Sequence, residues 1–118
     1  MILSDEQWEF EQDLARFVIE AKSFGYKLTG GELYRTEYQQ EYYVRTGRSL
    51  TMDSFHRLRL AKDYNIFVKN AEGKWELTSD YNKIRPLGDF WKSLCPEKNV
   101  WGGEWKQFKD LGHFERRI

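Results

Sequence analysis

An antiparallel hairpin is encoded in the second half of the chain. Leu60 to Val68 is a run rich in branched and aromatic side chains, which is typical of a strand. Asn70-Ala-Glu-Gly73 predicts a turn, and Lys74 to Leu77 predicts the strand that returns from it. Successive side chains of a strand point to opposite faces, so Asp63 faces away from Tyr64. Because the turn joins the two strands directly, the fold must contain at least one antiparallel strand pair.

A long amphipathic helix is predicted before this hairpin. Ser4 and Gln7 match a capping box, and Gly25 suits the position just after the last helical residue. Between them, apolar residues recur every three or four positions, as on a helix with one buried face. These residues are Phe10, Leu14, Phe17, Val18, Ala21 and Phe24.

Shorter elements are predicted on both sides of the hairpin. Tyr26 to Tyr34 indicates a strand with a kink or bulge at its glycine pair, and Thr36 to Gly47 indicates a second helix. A third helix is expected after the hairpin, limited in its first part by Pro86 and ended by Cys95. Its candidate caps are Thr78, Ser79 and Asp80. No repeat or linker is present, so residues 1–118 are interpreted as one domain.

Composition narrows the class of protein. Nineteen basic and nineteen acidic residues cancel, which argues against a main affinity for nucleic acid phosphates. Cys95 is a lone cysteine, so no internal disulfide can form. The first residues lack the features of a signal peptide, and no apolar run reaches the roughly 20 residues of a membrane span. We therefore expect a monomer without membrane insertion that stays in the cytoplasm unless it is released.

The two histidines suggest a metal site. His56 is followed seven residues later by Asp63, and His113 is the first of the last six residues. Two imidazoles and one carboxylate suffice for catalytic zinc, because the fourth position then stays open for water. Two imidazoles and a carboxylate also accept other divalent ions. An odd separation places His56 and Asp63 on opposite faces of a straight strand, so His56 must lie on a turn before it.

Other charged residues can complete a hydrolytic site. Asp110, three residues before His113, could act as general base, and Arg35 could stabilise the developing negative charge. Glu104 and Glu115 are rival bases that spacing does not exclude. Each of these residues also has an ordinary structural interpretation as a solvated charge or an ion pair.

An aromatic and glycine-rich segment precedes the last histidine. In Trp101-Gly-Gly-Glu-Trp105 the glycines allow close backbone approach beside large rings. Two interpretations remain open, a tight turn in an aromatic core and a wall of the substrate cleft. We predict that Trp101, together with Ser54, contacts substrate.

These motifs resemble those of a known family. Ser54-Phe-His56-Arg-Leu-Arg-Leu-Ala-Lys-Asp63 resembles the Ser-x-His-x6-Asp signature of the zinc D-alanyl-D-alanine carboxypeptidase and L-alanyl-D-glutamate peptidase superfamily. Asp110-Leu-Gly-His113 is similar to its second signature, and Glu32-Leu-Tyr-Arg35-Thr to its arginine segment. The Trp101 segment and His113-Phe-Glu resemble small phage endolysins. Many family members have glycine where this chain has Arg59, a difference that concerns the shape of the cleft.

The resemblance implies both a fold and a function. It implies a small α+β domain with a central antiparallel sheet flanked by helices. It implies that His56, Asp63 and His113 bind Zn²⁺, that Asp110 is the base and that Arg35 stabilises the transition state. The implied substrate is a peptidoglycan stem peptide, which an endolysin released from the host cytoplasm would cut between L-Ala and D-Glu. The alternatives are D-alanyl-D-alanine carboxypeptidase activity and a non-catalytic wall-binding or virion module with a structural zinc site.

Overall fold

The computed structural model describes residues 2–31 and 58–118, and the fold is an α+β domain. In this described part of the chain, two α-helices pack with a sheet of five antiparallel strands, which confirms the predicted fold class. In chain order the elements are α1 (Leu3–Ser23), β1 (Lys27–Gly30), β2 (Ala61–Lys69), β3 (Trp75–Leu77), α2 (Tyr81–Leu94), β4 (Asn99–Trp101), a short 3₁₀ helix (Gly102–Glu104) and β5 (His113–Arg116). The predicted helix from Thr36 to Gly47 lies outside the described residues.

Strand β2 is the centre of the sheet. The strand order is β1-β2-β5-β4, and β3 pairs with the far end of β2. On one edge β2 pairs with β1. On the other edge it pairs with two strands, with β5 through Ala61 to Asp63 and with β3 through Phe67 to Lys69. A gap therefore separates β5 from β3 along the same edge.

Helix α1 ends as its sequence predicts but begins earlier. Phe24 is the C-cap and Gly25 follows with φ 91°. The amide of Gly25 donates to Lys22, and that of Tyr26 donates to Ala21, which is a Schellman motif. At the other end the helix begins at Leu3 with Ile2 as N-cap, so the predicted capping box at Ser4 is wrong. The Asp5 carboxylate accepts the Ile2 amide at 3.2 Å instead.

The hairpin and the helix after it follow the turn chemistry of their sequences. Asn70 and Lys74 close the turn by a backbone hydrogen bond of 2.8 Å, and Gly73 adopts φ 76°. Asp80 caps α2, accepting the Asn82 amide at 2.9 Å. Pro86 lies inside α2 rather than limiting it, because tertiary packing on both sides of the proline outweighs the one missing backbone hydrogen bond.

The core lies between the two helices and one face of the sheet. Phe17 is the centre of an aromatic cluster, with its ring 4.5 Å from that of Phe114 on β5 and 5.6 Å from that of Trp91 on α2. The Trp91 indole donates to the carbonyl oxygen of Glu115 at 3.1 Å. This contact fixes α2 against β5, the strand that carries His113. Within residues 2–31 and 58–118, the other buried apolar residues are Phe10, Leu14, Ala21, Leu60, Ala61, Ile66, Ile84, Leu87 and Trp101.

Arg59, just before β2, has φ 57°, a left-handed conformation that glycine adopts without a steric penalty. A glycine at position 59 would adopt this backbone conformation without the penalty. Within residues 2–31 and 58–118, neither helix combines the length and apolarity needed to cross a bilayer.

Candidate metal centre

Asp63 and His113 are brought together by strand pairing. They are direct partners in the β2–β5 register, so their side chains leave the sheet on the same face. The Asp63 carboxylate oxygen Oδ1 lies 2.9 Å from Nδ1 of His113. Fifty residues separate them in sequence, and the antiparallel pairing alone accounts for their contact.

Asp110 joins this pair from the loop before β5. One carboxylate oxygen of Asp63, one of Asp110 and a ring nitrogen of His113 all lie within 4.8 Å of one another. His113 is buried, Asp63 is half-buried and Asp110 is exposed. The cluster therefore has a fixed, buried side and an open side.

The 3₁₀ helix holds the loop that carries Asp110. The Asp110 amide donates to the Gly102 carbonyl at 3.1 Å, and the Asp110 carbonyl accepts the His113 amide at 3.3 Å. A Cβ atom on Gly102 would lie 2.4 Å from the carbonyl oxygen of Asp110 and 3.0 Å from Cβ of His113. Only glycine fits there without displacing the loop. Gly102 is therefore needed for the geometry of the cluster.

Trp101 lies in the core. Its side chain is 1% exposed, and its ring stacks on that of Tyr81 at 5.4 Å. Its indole N–H donates to the Leu111 carbonyl at 2.9 Å, which anchors the Asp110 loop. Two interpretations of this segment were open, and Trp101 fits the first, a tight turn in an aromatic core. Because Trp101 is buried, the predicted contact with substrate is not supported. Trp105, which is half-buried, is the ring next to the cluster, 4.8 Å from that of His113.

The second ring nitrogen of His113 is held by a carboxylate on the same strand. Nε2 lies 2.6 Å from Oε1 of Glu115, which is 3% exposed. The other oxygen of Glu115 accepts from Nε of Arg117 at 2.7 Å. Residues two apart on a strand share a face, so the spacing of His113 and Glu115 already indicated that their side chains could meet. From the sequence alone, Glu115 was considered only as a rival general base.

The two carboxylates control the charge of His113. Burial alone would lower the pKa of the imidazole, but the hydrogen bonds to Asp63 and Glu115 outweigh it and raise the pKa to about 9. Burial would likewise raise the pKa of Glu115, but His113 and then Arg117 hold it below its usual value. In the absence of metal, His113 is therefore protonated at neutral pH, and a metal ion at Nδ1 would replace that proton.

The remaining residues that the sequence suggested for the site do not lie on the open side of the cluster or lie outside the described residues. His56, Arg35 and Ser54 lie outside the described residues, and their roles stay predictions. Glu104 forms an ion pair with Lys92 on α2. Glu115 faces the closed side of His113, so it is not placed to act as a base on the open side.

A groove opens beside Asp110, in the gap between β5 and β3. It has a volume of about 360 Å³ and lies between residues 64–66 of β2, the 77–79 segment and the 109–112 loop. Polar side chains of Asn65, Thr78 and Ser79 line it, together with Lys109. A groove of this size that reaches the cluster can accept an extended ligand.

The donor set fits a divalent metal ion. Carboxylate oxygens and imidazole nitrogens are the oxygen and nitrogen ligands that zinc accepts, and they already converge within 4.8 Å. The buried partner Glu115 matches the carboxylate–histidine arrangement usual behind a metal-bound imidazole. Fold and site thus define a small α+β domain with a carboxylate–imidazole centre of the kind used in hydrolysis.

Comparisons with known proteins agree with a hydrolytic centre and identify the family. Residues 47–116, more than half of the chain, match the family described as D-alanyl-D-alanine carboxypeptidase, and the chain belongs to this family of peptidases. The fold is similar to that of the L-Ala D-Glu endopeptidase ChiX from Serratia marcescens, with a TM-score of 0.67 and 23% identity. The match covers 96% of this chain and 84% of that one. No match was found among curated proteins.

Proposed function

We propose that this protein is a zinc-dependent peptidoglycan peptidase that cuts the stem peptide between L-Ala and D-Glu. The observation that carries the proposal is the convergence of Asp63, Asp110 and His113 at the mouth of an open groove. Membership of a peptidase family and the likeness to an L-Ala D-Glu endopeptidase support the substrate class.

Asp63 and His113 are the residues that would hold the metal, with His56 as the third predicted ligand. A bound zinc ion would supply Lewis acidity and lower the pKa of water at the open side of the cluster. Strand pairing already holds Asp63 and His113 together, so little ordering is required when the ion binds.

Asp110 is the residue suited to move protons. It lies on the exposed side of the cluster, whereas Asp63 and His113 are held deeper in the sheet. An exposed carboxylate in hydrogen-bonding range of the attacking water can take its proton and pass it to the leaving amine. If Asp110 were a fourth protein ligand instead, the site would be closed, as in structural zinc centres.

The groove is the proposed binding site for the stem peptide. Asn65, Thr78 and Ser79 offer hydrogen-bonding side chains, and Lys109 adds one positive charge at the rim. A stem peptide carries free carboxylates and backbone amides, so a cation at the rim and hydrogen-bonding side chains match its chemistry. The predicted cation at the reacting carbonyl remains Arg35.

D-alanyl-D-alanine carboxypeptidase activity is the second candidate, because it is the activity named in the description of the matching family. The two reactions can share the same metal centre and base. They differ in which part of the peptide occupies the groove, so the products distinguish them.

The biological setting is proposed from the sequence motifs. The resemblance of Trp101-Gly-Gly-Glu-Trp105 and His113-Phe-Glu to phage-type members supports an endolysin that acts on the wall after release from the host cytoplasm. Lysis of chloroform-permeabilised Gram-negative cells, without lysis of intact cells, is the expected behaviour.

The test of the proposal is mass spectrometry of purified muropeptides after digestion with the zinc-loaded protein. Cleavage between L-Ala and D-Glu is expected, and EDTA should abolish it. Release of terminal D-Ala would instead establish the carboxypeptidase. One equivalent of bound zinc with no cleavage of any bond would favour the non-catalytic module.

A matched pair of variants distinguishes the loss of the proposed base from the general effect of removing a surface charge. Asp110→Asn should abolish cleavage. Asp89→Asn removes a carboxylate of the same size from the exposed face of α2, where it pairs with Arg85 and Lys92, and should retain activity. Equal activity of the two variants would contradict the proposed role of Asp110.

A further inference from the structure

A buried carboxylate lies behind the metal centre. Glu115 is 3% exposed, and a carboxylate is rarely buried this far unless it is paired. Its two oxygens are used by different partners, Oε1 by His113 at 2.6 Å and Oε2 by Arg117 at 2.7 Å.

The backbone around Glu115 is fixed on three sides. Glu115 pairs with Ala61 on β2 and with Val100 on β4, and its carbonyl accepts the Trp91 indole at 3.1 Å. With the backbone held in this way, the carboxylate has one face of the strand available, which is the face of His113. The short contact to Nε2 follows from this placement.

The two nitrogens of His113 therefore have separate environments. Nε2 faces the closed side, against Glu115, while Nδ1 faces Asp63 and the cluster that includes Asp110. An imidazole can bind a metal only through the nitrogen that lacks a proton, and the hydrogen bond at the other nitrogen selects which one that is.

We propose that Glu115 is a positioning residue that keeps the proton on Nε2 of His113 and so presents Nδ1 to the metal. This inference depends on the metal centre proposed above. The Arg117 guanidinium keeps the second oxygen of Glu115 occupied, which leaves Oε1 directed at the imidazole. Partners of this kind behind a metal-bound histidine typically change metal affinity by about 10- to 100-fold.

The nitrogen that carries the proton can be observed directly by long-range ¹H–¹⁵N correlation spectra of the zinc-loaded protein. The expected result is a proton on Nε2 of His113 and zinc bound to Nδ1. A proton on Nδ1, with zinc at Nε2, would overturn the role of Glu115 and leave the metal centre intact. Failure of the wild-type protein to bind zinc would overturn the metal centre itself.

Variants at position 115 supply a second, independent readout. Zinc affinity, measured by competition with a chelator, should fall by about 10- to 100-fold in Glu115→Leu. Glu115→Gln keeps an oxygen acceptor for Nε2–H, so its affinity should lie closer to that of wild type. Asp89→Asn removes an exposed carboxylate of α2 that pairs with Arg85 and Lys92, and it is the control, expected to bind zinc as wild type does. Equal affinity in Glu115→Leu and wild type would contradict the proposal.

Discussion

Oδ1 of Asp63 lies 2.9 Å from Nδ1 of His113, across two paired strands that are fifty residues apart in sequence. The contact depends on sheet register, since a shift of one residue would move one of the two side chains to the opposite face. The features that fix this register are therefore as important to the site as the ligands themselves.

The first prediction concerns the base. Asp110→Asn should lower kcat by about 100-fold or more, because general acid–base catalysis contributes roughly 10²- to 10⁴-fold. Zinc affinity should stay close to that of wild type, since the proposed ligands are untouched. Parallel measurements of muropeptide cleavage and chelator competition test this. Loss of zinc together with activity would identify Asp110 as a ligand.

The second prediction concerns pH and stability of the metal-free protein. The folded pKa of His113 is about 9, above its ordinary value of 6.5, so its interactions stabilise the fold fully below about pH 6.5. This contribution, about 3 kcal/mol at most, should be lost as pH rises through about 9. Urea unfolding of EDTA-treated protein at pH 6, 7.5 and 9.5 measures it. Stability that is constant or rises across this range would contradict the assignment.

The third prediction concerns Gly102. In Gly102→Ala the new Cβ meets the Asp110 carbonyl at 2.4 Å, so the loop must move. A displacement of about 1 Å can reduce activity about 100-fold, and we expect a loss of that order. Gly30→Ala is the control, because its Cβ meets only the end of the flexible Lys62 side chain, and it should remain active. Equal kcat/KM for the two variants would argue against a role for Gly102 in placing Asp110.

The fourth prediction concerns the two ends of the chain. Glu6 on α1 pairs with Arg116 at the end of β5 at 2.5 Å, and both side chains are buried. Glu6→Leu leaves Arg116 buried without this partner, which should lower the free energy of unfolding by on the order of 3 kcal/mol. Lys98, the other partner of Glu6, is about one-third exposed, so Lys98→Met should cost less than about 1 kcal/mol. Chemical denaturation of both variants measures the difference, and equal losses would contradict this account.

Local signals in the sequence predicted much of the fold. The strand at Ala61–Lys69, the turn at Asn70–Gly73 and the end of α1 at Gly25 follow from turn chemistry and periodicity, which act over a few residues. The α+β class was implied by the family resemblance, and the sheet and its two helices confirm it.

What depended on tertiary packing was harder to predict. Strand β4 is three residues long and is defined by its pairing with β5, so its sequence carries little signal. Trp101 was expected to face substrate but packs against Gly88 of α2, where a Cβ would lie 2.2 Å from its ring. That close approach between a helix and a strand cannot be read from the motif around Trp101.

Only part of the candidate site could be predicted, because some of its contacts also depend on tertiary packing. Asp63, Asp110 and His113 converge, as the family signatures suggested. The role of Glu115 was missed because its contact with His113 exists only once both residues lie on one face of a strand. The predicted contributions of His56 and Arg35 stay predictions.

Anomalous diffraction at the zinc edge, from crystals of the zinc-loaded protein, tests the central claim most directly. We predict one strong peak within about 2.0–2.2 Å of a carboxylate oxygen of Asp63 and of Nδ1 of His113, the usual ligand distances for zinc. The Asp110 carboxylate should lie beside the peak without contacting it. A peak elsewhere, or none between Asp63 and His113, would contradict the proposed metal centre.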